Sequence, residues 1–362
     1  MRIAIDISPV LYGTGVSVYT KNLVENLLNI DDKNEYILFG YSLRRKKELQ
    51  EFVKTLDGNF NKKLYNIPPM LAHTVWNKVH IFEVEKLIGN IDIFHSSDWV
   101  EPPSKSKKVT TVHDLAPFKY PKLTHPTILT VHKKKLAWVR QESEKIIVPS
   151  KATKKDLIEM EFNENKIVVI PEAVSDMFKP ASKKEIELTK KRHKISGDYL
   201  LAVGVNPRKN TENIIKAFEK VKAGRDLKLI LVGSPTYMEL PEARDIRNLG
   251  HVSQDELITL YSGASVFVYP SLYEGFGLPI LEAMAVGTPV VTSKLSSMTE
   301  AAGDAAVLVD PESAEAIADG IEKAMKEKKE LVKKGKENLK RFSWEKNARE
   351  TLKVYESLAK LI

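Results

Sequence analysis

Short apolar runs alternate with amphipathic segments along this chain, and that alternation restricts its possible folds more than any other feature. In the first half, the runs are RIAIDI (2–7), EYILFG (35–40), IDIFHS (91–96), KVTTVH (108–113), KIIVPS (145–150) and KIVVIP (166–171). Helical patterns lie between several of them, at 16–29, 74–88, 125–142 and 151–160. Because strands separated by helices form βαβ units, the pattern predicts a parallel sheet covered by helices on both faces.

The alternation lapses at residues 172–197, where prolines and dense charge are typical of an interdomain linker. It then restarts, with strands predicted at 199–204, 227–233, 265–270, 288–293 and 305–310 and helices at 210–222, 254–262, 279–286 and 312–327. A length of 362 residues also exceeds the usual size of a single core. We therefore expect an α/β protein of two Rossmann-like, doubly wound domains.

The predicted domains are residues 1–173 and 174–343, facing each other across a cleft. The charged segment 330–361 reads as helical, and we expect a last helix, 344–362, to pack back on the first domain. Ligands of doubly wound sheets bind outside the carboxyl ends of the strands. Residues that directly follow a strand are therefore the first candidates for a functional site.

Composition excludes several classes of protein. The chain has no cysteine, so disulfides and thiolate metal sites are impossible, and its N-terminus lacks the apolar stretch of a signal peptide. We expect a cytoplasmic protein. The net charge of +8 comes from scattered lysines and arginines without a nucleic-acid-binding motif, so no nucleic acid partner is expected.

The stretch HPTILTVHKKKLAWVR (125–140) alternates apolar residues with lysines and contains Trp138. It fits a helix packed on the first sheet with its lysines in water. It also fits a peripheral contact with the inner face of a membrane, with Trp138 at the interface. Both interpretations stay open at this point.

Two groups of candidate residues follow strands of the first domain. Gly13 and Gly15 precede a helix, where bare amides and the helix dipole favour an anion, although Val18 occupies the third glycine position of a dinucleotide fingerprint. A tight structural turn is the alternative. His113 and Asp114 end the run KVTTVH and fit either a buried structural histidine or a catalytic or sugar-binding group.

Arg208 and Lys209 follow the first strand of the second domain, at the mouth of a helix. Two adjacent cations in that place suit a diphosphate, because arginine offers a two-pronged donor and lysine a point charge. No D-x-D motif occurs anywhere in the chain. We therefore expect neither a metal nor a cofactor, and protein cations would neutralise the diphosphate.

The segment YEGFGLPILEAMAVGTPVV (273–291) follows another strand and combines Glu274 and Glu282 with Gly275, Gly277 and Pro279. Glycines allow backbone amides to approach a ligand, and a proline suits the first turn of a helix, where we place Glu282 as well. Carboxylates would repel phosphates but bind hydroxyls. The segment therefore predicts a sugar ligand.

These residues resemble a known family. YEGFGLPILEA is similar to the E-x7-E motif of the family 4 glycosyltransferases, which are retaining enzymes of the GT-B fold with nucleotide-sugar donors. GVNPRKN resembles their diphosphate-binding segment, and TVHDL, the N-terminal glycine turn and AVLVDPES follow in the family's order. The resemblance covers nearly the whole chain and implies an acceptor-binding first domain and a donor-binding second domain.

The resemblance also implies roles for individual residues. It assigns the diphosphate to Arg208 and Lys209, and the nucleotide ribose to Glu282. His113 would contact the donor sugar, and Asp114 would orient that histidine or the acceptor. The remaining implied donor contacts are Glu274 and the backbone of Gly275, Phe276, Gly277 and Leu278 for the sugar, Gly15 or Gly13 for the phosphates, and Gly233, His251 and Val252 near the base.

The form P-R-K-N resembles a mannosyltransferase-like subset of the family, which favours GDP-mannose as the donor. The acceptor would be a saccharide or a lipid-linked sugar, as in polysaccharide biosynthesis. A nucleotide-sugar epimerase or a sugar-phosphate synthase of the same fold remains an alternative, as does a non-catalytic sugar-binding protein. A dinucleotide-dependent oxidoreductase is disfavoured, because the glycine fingerprint that binds dinucleotides is incomplete at Val18.

Overall fold

The computed structural model of the chain describes residues 1–96 and 98–359, and it divides into two compact units. The first unit comprises Met1–Glu172 together with the C-terminal segment from Trp344, and the second comprises Ala173–Ser343. The predicted helix 344–362 runs beyond the described residues at 360–362. Each unit has its own parallel sheet.

The first unit contains seven parallel strands in the order β3-β2-β1-β4-β5-β6-β7. They are β1 (Arg2–Asp6), β2 (Glu35–Tyr41), β3 (Phe60–Tyr65), β4 (Ile93–Ser96), β5 (Lys107–Thr111), β6 (Ser143–Val148) and β7 (Ile167–Val169). The order reverses between β1 and β4, which makes the carboxyl ends of these two strands the switch point of the sheet.

Helices connect these strands and cover the sheet. They are α1 (Gly15–Ile30), α2 (Lys46–Lys54), α3 (Pro69–Ala72), α4 (Glu85–Ile88), α5 (Ala116–Lys119), α6 (Pro126–Glu142) and α7 (Lys151–Glu159). A π-helix (His73–Val79) follows α3, and short 3-10 turns occupy Ser8–Leu11, Pro121–Leu123 and Glu164–Lys166. The single helix predicted over 74–88 was wrong, because His80 and Phe82 adopt left-handed backbone conformations that separate the π-helix from α4.

The second unit contains six parallel strands in the order β10-β9-β8-β11-β12-β13. They are β8 (Asp198–Val203), β9 (Leu227–Val232), β10 (Ile246–Asn248), β11 (Val266–Tyr269), β12 (Val290–Ser293) and β13 (Val307–Val309). The order reverses between β8 and β11, so the switch point lies at the carboxyl ends of these strands. The predicted pair of Rossmann-like parallel sheets is confirmed.

The helices of this unit are α8 (Lys183–Arg192), α9 (Thr211–Val221), α10 (Gln254–Gly263), α11 (Leu278–Ala285), α12 (Met298–Ala302), α13 (Ala314–Lys326) and α14 (Lys328–Leu339), with a 3-10 turn at Pro207–Lys209. The last helix, α15 (Trp344–Ala359), belongs to the first unit. There the hydroxyl of Tyr355 lies 2.6 Å from Nδ1 of His95.

The stretch interpreted as a linker contains the helix α8, which the sequence analysis missed. Ser182 and Glu185 form a capping box, in which each side chain bonds the other residue's backbone N–H. The hydroxyl of Thr259 on α10 donates to that of Thr189 on α8 at 2.9 Å. The dense charge therefore belongs to the solvent face of a packed helix.

Further elements were not predicted, among them β3, α2 and β10. The edge strand β3 carries the exposed residues Lys62 and Lys63, so it has no apolar run by which to recognise it. Among the residues that the structure describes, no helix is long and apolar enough to cross a bilayer.

Candidate functional site

The candidate site of the second unit begins where β8 ends. Gly204 has φ +85°, and a Cβ at this position would lie 2.9 Å from Cγ of Lys209. Asn206 then accepts a hydrogen bond from the backbone N–H of Lys209 at 2.9 Å, which closes the 3-10 turn. The amide of Asn210 donates to the carbonyls of Pro270 and Pro311, at 3.1 and 2.6 Å. These bonds tie the turn to the ends of β11 and β13.

Arg208 and Lys209 converge on one carboxylate. Oε1 of Glu274 lies 3.0 Å from Nη1 of Arg208 and 2.7 Å from Nζ of Lys209. Arg208 also donates to the carbonyl of Tyr273 at 2.7 Å, and Lys209 donates to the hydroxyl of Tyr269. The two cations from the β8 loop and the carboxylate from the β11 loop therefore meet at the switch point of the sheet.

Glu274 is buried and ionised. Burial raises the pKa of its carboxyl, but the charges of Lys209 and Arg208, together with hydrogen bonds, more than offset this, so the pKa is lower than usual. The hydroxyls of Ser296 and Ser297 donate to its backbone carbonyl at 3.0 and 2.7 Å. The loop after β12 thus fixes the backbone that carries this side chain.

The rest of the loop leads into helix α11. Gly277 caps the helix with φ 110°, a conformation that glycine adopts without strain, and Leu278 is the first helical residue. Phe276 is buried, and its ring contacts that of Phe342 with the centroids 5.6 Å apart. The N-terminus of α11, the positive end of its dipole, therefore directly follows the loop of Glu274 and Gly275.

Glu282 lies on the second turn of α11, so its predicted place on the first turn was wrong. Its Oε2 accepts a hydrogen bond of 3.0 Å from the hydroxyl of Tyr261 on α10. Burial raises the pKa of Glu282 to about 7, although this hydrogen bond and the charge of Lys209 both lower it. Glu282 can therefore change its protonation near neutral pH. Tyr261 could not be recognised from the sequence, because it lies within a predicted helix and carries no pattern of its own.

The glycine predicted near a nucleotide base lies at the end of β9, the neighbour of β8. The backbone N–H of Gly233 donates to the carbonyl of Gly250 at 2.8 Å, which closes an antiparallel bridge between the two loops. His251 is exposed and Val252 is half-buried directly beyond the bridge. The loops after four adjacent strands, β10, β9, β8 and β11, thus carry the predicted donor residues of this unit, apart from Leu278 and Glu282 on α11.

In the first unit, the predicted glycines form a turn after β1. The backbone N–H of Gly13 donates to the hydroxyl of Ser17 at 2.8 Å, and that hydroxyl donates to the carbonyl of Pro9 at 2.7 Å. Gly15 is the first residue of α1, with Thr14 at the N-cap. Both glycines are exposed, so their backbone is accessible to a ligand.

His113 pairs with a carboxylate that the sequence analysis did not select. Its Nδ1 lies 3.0 Å from Oε1 of Glu172, and its ring meets the edge of Tyr19 with the centroids 4.6 Å apart. Burial lowers the pKa of His113. The hydrogen bond to Glu172 and the charge of that carboxylate raise the pKa by a larger amount, so it lies above the usual value for a histidine. Asp114 instead accepts a hydrogen bond of 2.9 Å from the backbone N–H of Ala116, the first residue of α5.

Glu172 could have been found from the sequence, because it follows the last strand of the first sheet. The small cavity beside His113 is lined by further polar groups that were missed, including Asp6, His95, Ser96, Asp98 and Thr111. Burial raises the pKa of Asp98, but the charges of His132, Lys135 and His113 lower it below its usual value.

Comparisons with known proteins agree on one class. The family model described as Glycosyltransferase Family 4 matches residues 13–176, and the model described as Glycosyl transferases group 1 matches residues 183–350. The O-antigen chain mannosyltransferase B of Escherichia coli is 32% identical over 284 residues, which cover 74% of each chain. The O-antigen chain mannosyltransferase RfbU of Salmonella typhimurium is 32% identical over 219 residues, or 58% of each chain.

Solved structures share the fold. Anabaena HepE, crystallised with UDP and glucose, matches 99% of this chain and 100% of its own, with a TM-score of 0.71 and 16% identity. At that identity the likeness concerns the fold alone. It confirms the GT-B fold that the sequence resemblance implied.

Proposed function

The chain belongs to the glycosyltransferases of group 1 and family 4, and we propose that it transfers mannose from GDP-mannose to a saccharide or lipid-linked acceptor. Support for mannose comes from the relatives of Escherichia coli and Salmonella typhimurium, which are mannosyltransferases. The observation that carries the proposal is the convergence of Arg208, Lys209 and Glu274 at the switch point of the second sheet.

The charges of this group suit a nucleoside diphosphate sugar. Arg208 and Lys209 share one carboxylate, so the pair retains positive charge for the diphosphate. Glu274, ionised and fixed by its loop, is suited to accept hydrogen bonds from sugar hydroxyls. The further donor contacts that we propose are the backbone of Gly275, Phe276, Gly277 and Leu278 for the sugar, Glu282 for the ribose, and Gly233, His251 and Val252 near the base.

The proposed reaction retains the configuration of the anomeric carbon. The bond from that carbon to the diphosphate oxygen breaks, and a bond to the acceptor oxygen forms on the same face. The acceptor's proton passes to the departing diphosphate. Arg208 and Lys209 stabilise the negative charge that develops on this leaving group, and loss of one such group typically costs about 2.7–4 kcal/mol of barrier.

We propose that these two cations perform the charge neutralisation that a metal ion performs elsewhere, so that transfer does not depend on a metal. In the first unit, we assign the donor sugar to His113 and the phosphates to Gly13 or Gly15. Glu172 holds His113 in one orientation through Nδ1, which leaves Nε2 as the atom for a sugar hydroxyl. Asp114 remains a candidate for the acceptor.

The reaction is tested by incubating the protein with GDP-mannose, UDP-glucose or UDP-N-acetylglucosamine and a panel of saccharide and lipid-linked acceptors. Of the three donors, we expect only GDP-mannose to release its nucleotide, and only when an acceptor is present. EDTA should not change the rate of this release. NMR of the product should show an α-linkage. Transfer of glucose instead would contradict the donor assignment. Isomerisation of the donor without an acceptor would contradict the reaction class.

A further inference from the structure

A short part of the first unit exposes an unusual amount of apolar surface. Between residues 70 and 82, the apolar segment, five large hydrophobic side chains are exposed: Met70, Leu71, Val79, Ile81 and Phe82. Val79 and Ile81 are the most exposed of them, at 56% and 57%. Soluble proteins rarely leave such side chains together in water unless the surface binds something.

The exposure is built into the fold. The segment contains a π-helix, a form that often marks functional sites, and His80 and Phe82 adopt positive φ angles of 56° and 73°. His80 is fixed in this conformation by bonds of 2.7 Å from its ring nitrogens to the carbonyl of Trp76 and to Glu142. Its ring also stacks on Trp138 at 3.5 Å. Backbone strain persists where the surroundings impose it, and here it turns Ile81 and Phe82 outward.

Three cations lie on or near the apolar segment. Lys78, Lys86 and Lys134 are exposed, and none of them makes an ion pair with any residue that the structure describes. Nζ of Lys86 lies 5.4 Å from the centre of the Phe82 ring. Lys78 lies on the π-helix itself, and Lys134 lies on α6, which contacts the π-helix where the indole N–H of Trp138 donates to the carbonyl of Asn77 at 2.9 Å.

Neither of the neighbouring acids, Glu83 and Glu85, pairs with these lysines among the described residues. Glu83 pairs with Lys105 at 3.3 Å, and Glu85 accepts a hydrogen bond of 2.5 Å from the hydroxyl of Ser104 and another of 2.8 Å from the backbone of Lys105. Glu83 is therefore paired with a different lysine, and one carboxylate oxygen of Glu85 is bonded within the protein, whereas Lys78, Lys86 and Lys134 are exposed.

We propose that the apolar segment, with Lys78, Lys86 and Lys134, docks on an anionic lipid bilayer. The interface of such a bilayer removes Ile81 and Phe82 from water and pairs the lysines with lipid phosphates at the same time. Such a surface lies on the membrane without crossing it. The proposal does not depend on the proposed sugar transfer.

This surface differs from the one that the sequence suggested. Trp138 on α6 donates its indole N–H to the carbonyl of Asn77 at 2.9 Å and stacks on His80, so its ring is engaged within the protein. Among the described residues of α6, only Ile128 is a large exposed hydrophobic side chain. We therefore assign the membrane contact to the apolar segment, with α6 contributing Lys134.

Flotation of the full chain tests the proposal. Vesicles of phosphatidylglycerol and phosphatidylcholine in equal parts are compared with pure phosphatidylcholine at 0.15 M salt. We expect binding to the anionic vesicles and at least about tenfold less to the neutral ones. No binding to the anionic vesicles, or equal binding to both, would overturn the proposal.

Matched variants locate the contact. Ile81→Ser with Phe82→Asn should reduce binding about tenfold or more, as should Lys78→Gln with Lys86→Gln and Lys134→Gln. The controls are Leu188→Ser with Leu308→Ser, and Lys328→Gln with Lys329→Gln and Lys333→Gln, which change exposed residues of the second unit. Binding that survives both apolar-segment variants, or falls equally in the controls, would overturn the assignment.

The absence of native cysteine allows a direct measurement that does not require loss of binding. Ile81→Cys and Leu188→Cys are each labelled with an environment-sensitive fluorophore. The label at 81 should shift to shorter wavelength on anionic vesicles, while the label at 188 should not. The emission of the label at 81 is also measured at high protein concentration without vesicles. A shift to shorter wavelength there would indicate self-association, assign the segment to a second copy of the chain and overturn the proposal.

Discussion

Nζ of Lys209 lies 2.7 Å from Oε1 of Glu274, so the cation that we assign to the donor's diphosphate is paired with the carboxylate that we assign to the donor's sugar. The same oxygen lies 3.0 Å from Nη1 of Arg208. The carboxylate therefore occupies, in part, the positive field that a diphosphate would use. Under the proposed function, phosphate binding and sugar binding at this site would therefore be coupled through one side chain.

This coupling predicts opposite effects of Glu274→Gln on two ligands. The variant removes the charge that competes with phosphate, so GDP should bind about fivefold more tightly, equivalent to ~1 kcal/mol. Turnover of the donor should fall about tenfold or more, because charge-assisted hydrogen bonds to the sugar are lost. Calorimetric titration with GDP and a turnover assay measure the two effects. The control Glu312→Gln changes an exposed residue of the same unit and should alter neither GDP affinity nor donor turnover. Weaker GDP binding by Glu274→Gln would refute the coupling.

Gly204→Ala should weaken GDP binding by displacing Lys209. The added Cβ would lie 2.9 Å from Cγ of Lys209, and φ +85° is unfavourable for alanine. Gly224→Ala is the matched control, because Gly224 has φ +76° but no atom of the described residues lies within 4 Å of the place that its Cβ would take. Both variants should lose about 1–2 kcal/mol of unfolding free energy. Only Gly204→Ala should bind GDP less tightly, and equal GDP affinities in the two variants would contradict this role of Gly204.

Glu282 should make the protein less stable as pH rises. Burial raises its pKa to about 7, from an ordinary value of 4.5. Between these values the folded chain binds more protons than the unfolded chain, so the free energy of unfolding decreases as pH increases. Glu282→Gln cannot ionise, so its stability relative to wild type should rise by roughly 2–3 kcal/mol from pH 5 to pH 8.

Urea unfolding at several pH values measures this difference. Glu256→Gln is the control, because a hydrogen bond from Arg192 and others from Ser253 lower the pKa of Glu256 to about 2, so that above pH 5 it is ionised in the folded state and mostly ionised in the unfolded state. Its stability relative to wild type should change by only about 0.2 kcal/mol over the same range. A constant difference for Glu282→Gln as well would show that Glu282 does not titrate in this window.

Glu172→Gln should lower the pKa of His113, because it removes the charge and the acceptor that favour the protonated ring. NMR titration of the histidine ring measures this pKa. A histidine whose pKa is raised on folding stabilises the protein below its unfolded pKa, and this contribution is lost as pH rises through the folded value. While Glu172 is ionised, the stability gap between wild type and Glu172→Gln should therefore be larger below the pKa of His113 than above it. Asp114→Asn, which changes the neighbour in sequence, should leave the His113 titration nearly unchanged, and a larger shift from Asp114→Asn would contradict the pairing.

The sequence predicted the sheets well because buried parallel strands are continuous apolar runs, as in VFVY (266–269) of β11. It failed where structure comes from side-chain bonds rather than from periodicity. Helix α8 depends on the capping box of Ser182 and Glu185 within a charged stretch, and the end of the π-helix depends on His80 bonding to Glu142. Neither relationship produces an apolar pattern.

The candidate site shows the same division. Arg208, Lys209 and Glu274 could be selected because each follows a strand, and the structure brings them into contact. The pairing of His113 with Glu172 joins residues 59 positions apart, and sequence alone suggested the adjacent Asp114 instead. Glu172 could have been selected because it too follows a strand, but its pairing with His113 arises from tertiary packing and cannot be read from spacing or composition.

Binding of GDP-mannose to the wild-type protein and to the Arg208→Ala, Lys209→Ala double variant tests the central claim most directly. Isothermal titration should show GDP-mannose binding more tightly than UDP-glucose, and the double variant should lose about a hundredfold or more in affinity. Lys216→Ala, on the exposed face of α9, should bind as the wild type does. Undiminished binding of GDP-mannose by the double variant, or no binding of any nucleotide sugar by the wild type, would contradict the account.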